Sequence, residues 1–119
     1  MNKTILIVED YKDTRDIMKI LIESYGFDVI EAADGIEAID QFKFKHPDLI
    51  LMDISLPMVD GLTTTKAIRE ISGENQIPII AVTAFGNEYR SRAIQAGCND
   101  LISKPLDFNK LEPLLHQYL

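Results

Sequence analysis

Five short apolar runs punctuate the chain: Ile5-Leu6-Ile7-Val8, Val29-Ile30, Leu49-Ile50-Leu51-Met52, Ile79-Ile80-Ala81-Val82 and Leu101-Ile102. The first, third and fourth are continuously apolar rather than alternating, which suits strands covered on both faces. Between them lie stretches with helical spacing. Ile17, Ile20 and Leu21 share one face, as do Ile36, Ile39 and Phe42. Leu62, Thr65 and Ile68 repeat the theme, followed by Tyr89, Arg92, Ala93 and Ala96, then Leu111, Leu114 and Leu115.

Turn residues agree with this division. Gly26 and Gly97 stand where the first and fourth helices should stop. Pro47 and Pro78 precede the third and fourth runs, where a helix cannot continue. Asp34-Gly35 and Asp60-Gly61 mark turns leading into helices. Five repeats of strand then helix imply an α/β fold with a doubly wound parallel sheet and right-handed crossovers. Pro113 fits poorly, because it falls inside the last helical pattern after the candidate N-cap Asp107. Either that helix starts later, near Asn109, or it bends there.

Composition narrows the class. With 119 residues, 46% of them hydrophobic, the chain can build one core without disulfides or structural metals, and intrinsic disorder is excluded. A net charge of -7 repels phosphate backbones and argues against direct nucleic-acid binding. Cys98 is the single cysteine, so no disulfide forms within the chain, and it reads as a small buried hydrophobe. Neither His46 nor His116 is patterned with it. Met1-Asn2-Lys3 lacks a signal-peptide layout, and no apolar run approaches the roughly 20 residues that span a bilayer. A cytoplasmic location without membrane contact is expected.

All strands of a parallel sheet point the same way, so their C-termini share one edge, and ligands bind there. The first run ends in Glu9-Asp10, the third in Asp53, the fourth in Thr83 and the fifth in Ser103-Lys104-Pro105. A polar residue after one strand is expected of any loop; the joint pattern carries the weight. Three clustered carboxylates repel one another unless a cation joins them. Oxygen-only donors select a hard ion, Mg2+ with Mn2+ as the substitute. Asp53 can then be ligand and nucleophile together, since carboxylates form aspartyl phosphates. Lys104 would neutralise charge on a phosphoryl group and Thr83 would donate a hydrogen bond to it. Phosphoryl transfer depends mainly on such positioning and electrostatics.

These residues resemble the response-regulator receiver domains of two-component signalling systems, the chemotaxis-regulator-like fold, over essentially the whole length. The segments that carry the resemblance are Ile5-Leu6-Ile7-Val8-Glu9-Asp10 and the stretch from Asp48 through Asp53-Ile54-Ser55-Leu56-Pro57-Met58 to Gly61. Ala81-Val82-Thr83-Ala84 and Ser103-Lys104-Pro105 complete it. The resemblance implies a flavodoxin-like (βα)5 sheet of order 2-1-3-4-5, an order for which a chemotaxis member of this family is a standard example. It implies Asp53 as phosphoacceptor, with a histidine kinase or a histidine phosphotransfer protein as donor. Mg2+ would be held by Glu9, Asp10, Asp53 and the backbone carbonyl of Ser55. Thr83 and Lys104 would read the phosphoryl group, and the Lys104-Pro105 bond would be cis. The downstream protein would dock on the fourth helix, fifth strand and fifth helix, roughly residues 87–118.

One departure stands out. Family members often carry an aromatic three positions before the lysine, and here Leu101 stands there. It is either a neutral packing change or a sign that the switch relies on Thr83 and the loop after it. Phe85 lies near the pocket mouth by the same analogy and either tunes autodephosphorylation, together with Ser55, or simply packs.

Other classes fit less well. A haloacid-dehalogenase-type hydrolase needs a second Asp two residues after the nucleophile, where Ser55 stands. A flavodoxin-type carrier would meet its flavin phosphate with the repelling Glu9-Asp10 pair. A phosphorylation-independent binding module would lack an acidic residue, the acceptor or the lysine, and all are present. The expectation is a single receiver domain over 1–119 without an output domain. It would act as a stand-alone signalling switch rather than an enzyme, the rival being a receiver cut from a hybrid kinase or longer regulator.

Overall fold

The computed structural model describes residues 2–56, 59–73 and 76–119, with the backbone alone at Phe108. Its elements are β1 (Thr4–Val8), α1 (Lys12–Ser24), β2 (Asp28–Ala32), α2 (Gly35–Lys45), β3 (Leu49–Asp53), α3 (Gly61–Ser72), β4 (Ile79–Thr83), a 3-10 turn (Gly86–Tyr89), α4 (Arg90–Ala96), β5 (Asp100–Ser103) and α5 (Phe108–Tyr118). The five strands form one sheet in the order β2-β1-β3-β4-β5, every pair parallel. This is the doubly wound, flavodoxin-like arrangement that the sequence predicts.

The continuous apolar runs are explained by two cores, one on each face of the sheet. Successive strand residues point to opposite faces. Leu6, Val8, Ile50, Met52, Ile79 and Ala81 therefore pack with Ala38, Ile68 and Ala93 of α2, α3 and α4. Ile5, Ile7, Leu49, Leu51, Ile80 and Val82 pack with Met18 and Ile22 of α1 and Leu111 and Leu115 of α5. Cys98 is buried in the first of these clusters, as a small hydrophobe.

Three details differ from the pattern read along the chain. Ile17 and Ile20 do share a face of α1, but that face is solvent-exposed, at 59% and 69%. Spacing of three and four admits two adjacent stripes, and the sheet takes the one through Met18, Leu21, Ile22 and Tyr25. Tyr89 belongs to the 3-10 turn, so α4 begins only at Arg90. Helix α5 starts at Phe108 and continues through Pro113, with the Asp107 side chain accepting from Asn109 N at 2.9 Å. Pro113 and Asn109 are both exposed, so solvent serves the Asn109 carbonyl that proline leaves without its donor.

One glycine positions the site directly. Gly61 N donates to Ile54 O at 2.9 Å, and a Cβ at Gly61 would strike the carbonyl of Asp53. Only glycine lets α3 dock this tightly on the end of β3. Asp60 caps the same helix by accepting from Thr63 N at 2.8 Å.

Candidate functional site

The carboxylates are delivered by strand ends that the sheet holds in place. Glu9 prolongs the pairing of β1, its N–H donating to Ala32 O at 3.0 Å. Asp10 follows at the exposed rim, and Asp53 closes β3. Carboxylate oxygens of Glu9, Asp10 and Asp53 lie within 4.8 Å of one another. Two of these residues are deeply buried, Glu9 at 2% exposure and Asp53 at 4%.

Lys104, reaching in from the loop after β5, is the cation that meets them. Its Nζ donates to Glu9 Oε1 at 2.8 Å and to Asp53 Oδ2 at 3.1 Å. Burial pulls the Lys104 ammonium down, but the hydrogen bond to Glu9 and the charge of Asp53 outweigh it and hold it above its ordinary value. Asp10 is pushed up from the usual carboxylate range, first by desolvation and then by the neighbouring Glu9 carboxylate. Three negative charges against one positive leave the cluster short of two positive charges. Among the described residues the grouped ligand atoms are all carboxylate oxygens, a set that fits a hard divalent cation.

The remaining predicted residues fall around this cluster. Asp53 Oδ1 accepts from Ser55 N at 3.0 Å, so both carboxylate oxygens of Asp53 are held and its rotation is fixed. Thr83 ends β4 and is buried, and its Oγ1 accepts from Phe85 N at 3.1 Å. That leaves the hydroxyl hydrogen of Thr83 free to be donated elsewhere. Thr83 O accepts from Lys104 N at 2.7 Å, which ties these two residues together, and the Lys104-Pro105 bond is cis. Leu101 is buried in the core, whereas Phe85 is exposed and packs against Tyr89, the rings tilted at 57° with centroids 5.5 Å apart. Pro57 and Met58, part of the motif after Asp53, lie outside the described residues.

Sequence reasoning missed one polar contact here. Arg15 Nη1 donates to the backbone carbonyl of Glu9 at 2.8 Å. An arginine in the second turn of the helix that follows Glu9-Asp10 was the available signal, but its direction depends on how α1 is rotated.

Comparison with known proteins settles the family. The response regulator receiver domain family matches residues 5–116. The chain belongs to that family. The receiver domain is similar to the polar-differentiation response regulator DivK of Brucella ovis, at 43% identity over 122 aligned positions covering 100% of this chain and 98% of that protein. Among solved structures, it is similar to the receiver domain of sensor histidine kinase PA1611 from Pseudomonas aeruginosa, which has a magnesium ion coordinated in its active site cleft. That likeness has a TM-score of 0.90 at 34% identity and covers 99% of this chain and 98% of the other. A third likeness is to the Saccharomyces cerevisiae receiver domain of Ssk1, solved with the histidine phosphotransfer protein Ypd1, with TM-score 0.91, 27% identity and coverage of 98% and 88%. This receiver domain is therefore a phosphoacceptor module of two-component signalling, and receivers of this kind partner with histidine kinases or phosphotransfer proteins. Among the described residues, no helix is long and apolar enough to cross a membrane.

Proposed function

We propose that Asp53 accepts a phosphoryl group from the phosphohistidine of a histidine kinase or phosphotransfer protein. The observation that carries this reading is the cluster of Glu9, Asp10 and Asp53, in which the two buried carboxylates, Glu9 and Asp53, are bridged by Lys104. A carboxylate oxygen of Asp53 attacks phosphorus, a P–O bond forms, and the P–N bond to the donor histidine breaks. The leaving imidazole takes a proton from solvent. Ser55 N–H and Lys104 hold Asp53 in one rotation for the attack, which removes orientational freedom before the reaction starts.

Glu9, Asp10, Asp53 and the Ser55 carbonyl would hold Mg2+, with Mn2+ able to meet the same oxygen donors. Bound metal supplies charge neutralisation on the phosphoryl oxygens. Lys104 then turns from Glu9 and Asp53 toward the added phosphoryl oxygens, and Thr83 donates its hydroxyl hydrogen to them. Because Thr83 also holds Phe85 N and the Lys104 backbone, that shift pulls on the loop entering α4 and on the end of β5. Leu101, packed in the core, supplies no aromatic rotor, which favours a switch carried by the Thr83–Phe85 loop.

On this reading the protein is a signalling domain over residues 1–119 rather than an enzyme with an external substrate. Its downstream protein docks on α4, β5 and α5, and it works in the cytoplasm without contacting nucleic acid or membrane. The test is incubation with acetyl phosphate, with and without Mg2+, read by intact mass beside Asp53→Asn. Gain of one phosphoryl group that needs Mg2+ and vanishes in the variant supports the reading. Folded wild type that stays unmodified by both acetyl phosphate and a phosphohistidine donor overturns it.

A further inference from the structure

We infer that Arg15 is a positioning residue for the metal-binding carboxylates, acting through the backbone of Glu9 rather than by touching the ion. The inference rests on the Mg2+ reading above. Its side chain is 16% exposed, far from the usual disposition of a first-helix arginine. Nη1 donates to the Glu9 carbonyl at 2.8 Å, while Nε lies 3.6 Å from Oε1 of Glu31 on β2. That Glu31 oxygen is buried and accepts no hydrogen bond among the described residues, so the Arg15 charge is its compensation.

The consequence is geometric. The Glu9 N–H is already committed to Ala32 O, at 3.0 Å. With the carbonyl held by Arg15 as well, Glu9 is fixed at both ends, and the orientation of the Glu9–Asp10 peptide is fixed with it. Both side chains that flank this peptide belong to the carboxylate cluster. Glu31 in turn anchors the guanidinium from the neighbouring strand, and Gln41 Nε2 secures the Glu31 backbone by donating to its carbonyl at 3.1 Å. Groups behind the ligands commonly set metal affinity by such orientation.

A purely electrostatic role for Arg15 predicts the opposite sign. A cation beside an acidic cluster repels Mg2+, so its removal would tighten binding if charge alone mattered. Positioning predicts weaker binding on removal. The two readings separate cleanly.

The experiment is calorimetric titration of Mg2+ into wild type, Arg15→Met and Arg15→Lys, with melting temperatures measured in the absence and presence of saturating Mg2+. Met keeps the aliphatic stem and loses the donors; Lys keeps the charge and one point donor but not the planar fork. The expected result is about tenfold weaker Mg2+ binding in Arg15→Met, the scale for loss of a group that orients a ligand, and a smaller loss in Arg15→Lys. The Mg2+-dependent gain in melting temperature should shrink in the same order, which a merely structural loss would not produce. Unchanged or tighter binding by Arg15→Met overturns the inference. If Arg15→Met does not fold, Arg15→Lys decides, and wild-type affinity in it is the overturning result. Wild type that binds no Mg2+ defeats the metal reading and this inference together, whereas wild-type binding with an indifferent Arg15→Met defeats only this one.

Discussion

At the N-terminal edge of the sheet, Arg69 donates to Gly97 O at 2.9 Å, Ile77 O at 2.6 Å and Asn99 Oδ1 at 2.7 Å. Asn99 Oδ1 also accepts from Ile79 N at 2.9 Å, and Asp48 Oδ2 accepts from Thr4 N at 2.8 Å. At the C-terminal edge, Glu9, Asp10 and Asp53 gather, and one ammonium, that of Lys104, pairs with Glu9 and Asp53 only. Both edges are rich in polar side chains, yet only one is satisfied from within. The first uses polarity to close the ends of strands and helices, so its groups are spent on the fold. The second leaves charge to be met from outside, which is the condition for binding a cation and a phosphoryl group. Polar residues at a strand end thus acquire different meanings according to whether their partners are already present.

Four measurements put that contrast at risk. The largest effect belongs to Asp53→Asn, which should abolish phosphoryl incorporation entirely while leaving the fold intact; intact mass after acetyl phosphate reads it. Next is Arg69→Met. It strands the Gly97 and Ile77 carbonyls and should cost about 2–3 kcal/mol in urea unfolding, since partly buried acceptors lose their donor. Its Mg2+ affinity should stay within about twofold of wild type, because the change lies at the closed edge. Loss of Mg2+ binding in that variant would erase the distinction between the two edges.

Asp10→Asn should act in the opposite direction on stability. The folded-state value of Asp10 is raised above its ordinary 3.8, so the folded form holds its proton to higher pH than the unfolded form. Stability therefore falls as pH rises from 3.8 through the raised value, and ionised Asp10 is a cost at neutral pH. In metal-free protein the variant should melt at a higher temperature than wild type near pH 7 and lack that acid-range slope. Mg2+ should narrow the gap by stabilising wild type alone. The smallest effect is alkaline. Lys104 is raised above its ordinary 10.5, so its contribution is full below 10.5 and is lost as pH climbs through the raised value. Lys104→Arg, which stays charged, should lose less stability than wild type over that range, seen as converging melting temperatures.

Much of this was legible along the chain because strand direction is uniform. In a parallel sheet, the first polar residue after each apolar run lands on one edge, so Glu9, Asp10, Asp53, Thr83 and Lys104 could be grouped without coordinates. Helix rotation was not legible. On α1 the spacing of Ile17, Ile20 and Leu21 competes with that of Met18, Leu21 and Ile22, and only contact with the sheet selects between them. The same rotation turns Arg15 inward to Glu9 and Glu31, which is why its role escaped the sequence. Pro113 was overweighted for a related reason: a missing hydrogen bond costs little where the orphaned carbonyl faces water.

The order of apolar runs, turns and strand-end polar residues was thus enough to set the α/β class and the strand count, and to bring the candidate site residues to one edge. Those are consequences of short-range geometry and of one rule about strand direction. Which polar groups are saturated and which are left wanting was settled by folding: Arg69 closing three acceptors, Lys104 divided between two carboxylates, Arg15 holding a carbonyl across from Glu31. Saturation depends on distances of a few ångströms between groups far apart in the chain, and these exist only once both cores have packed.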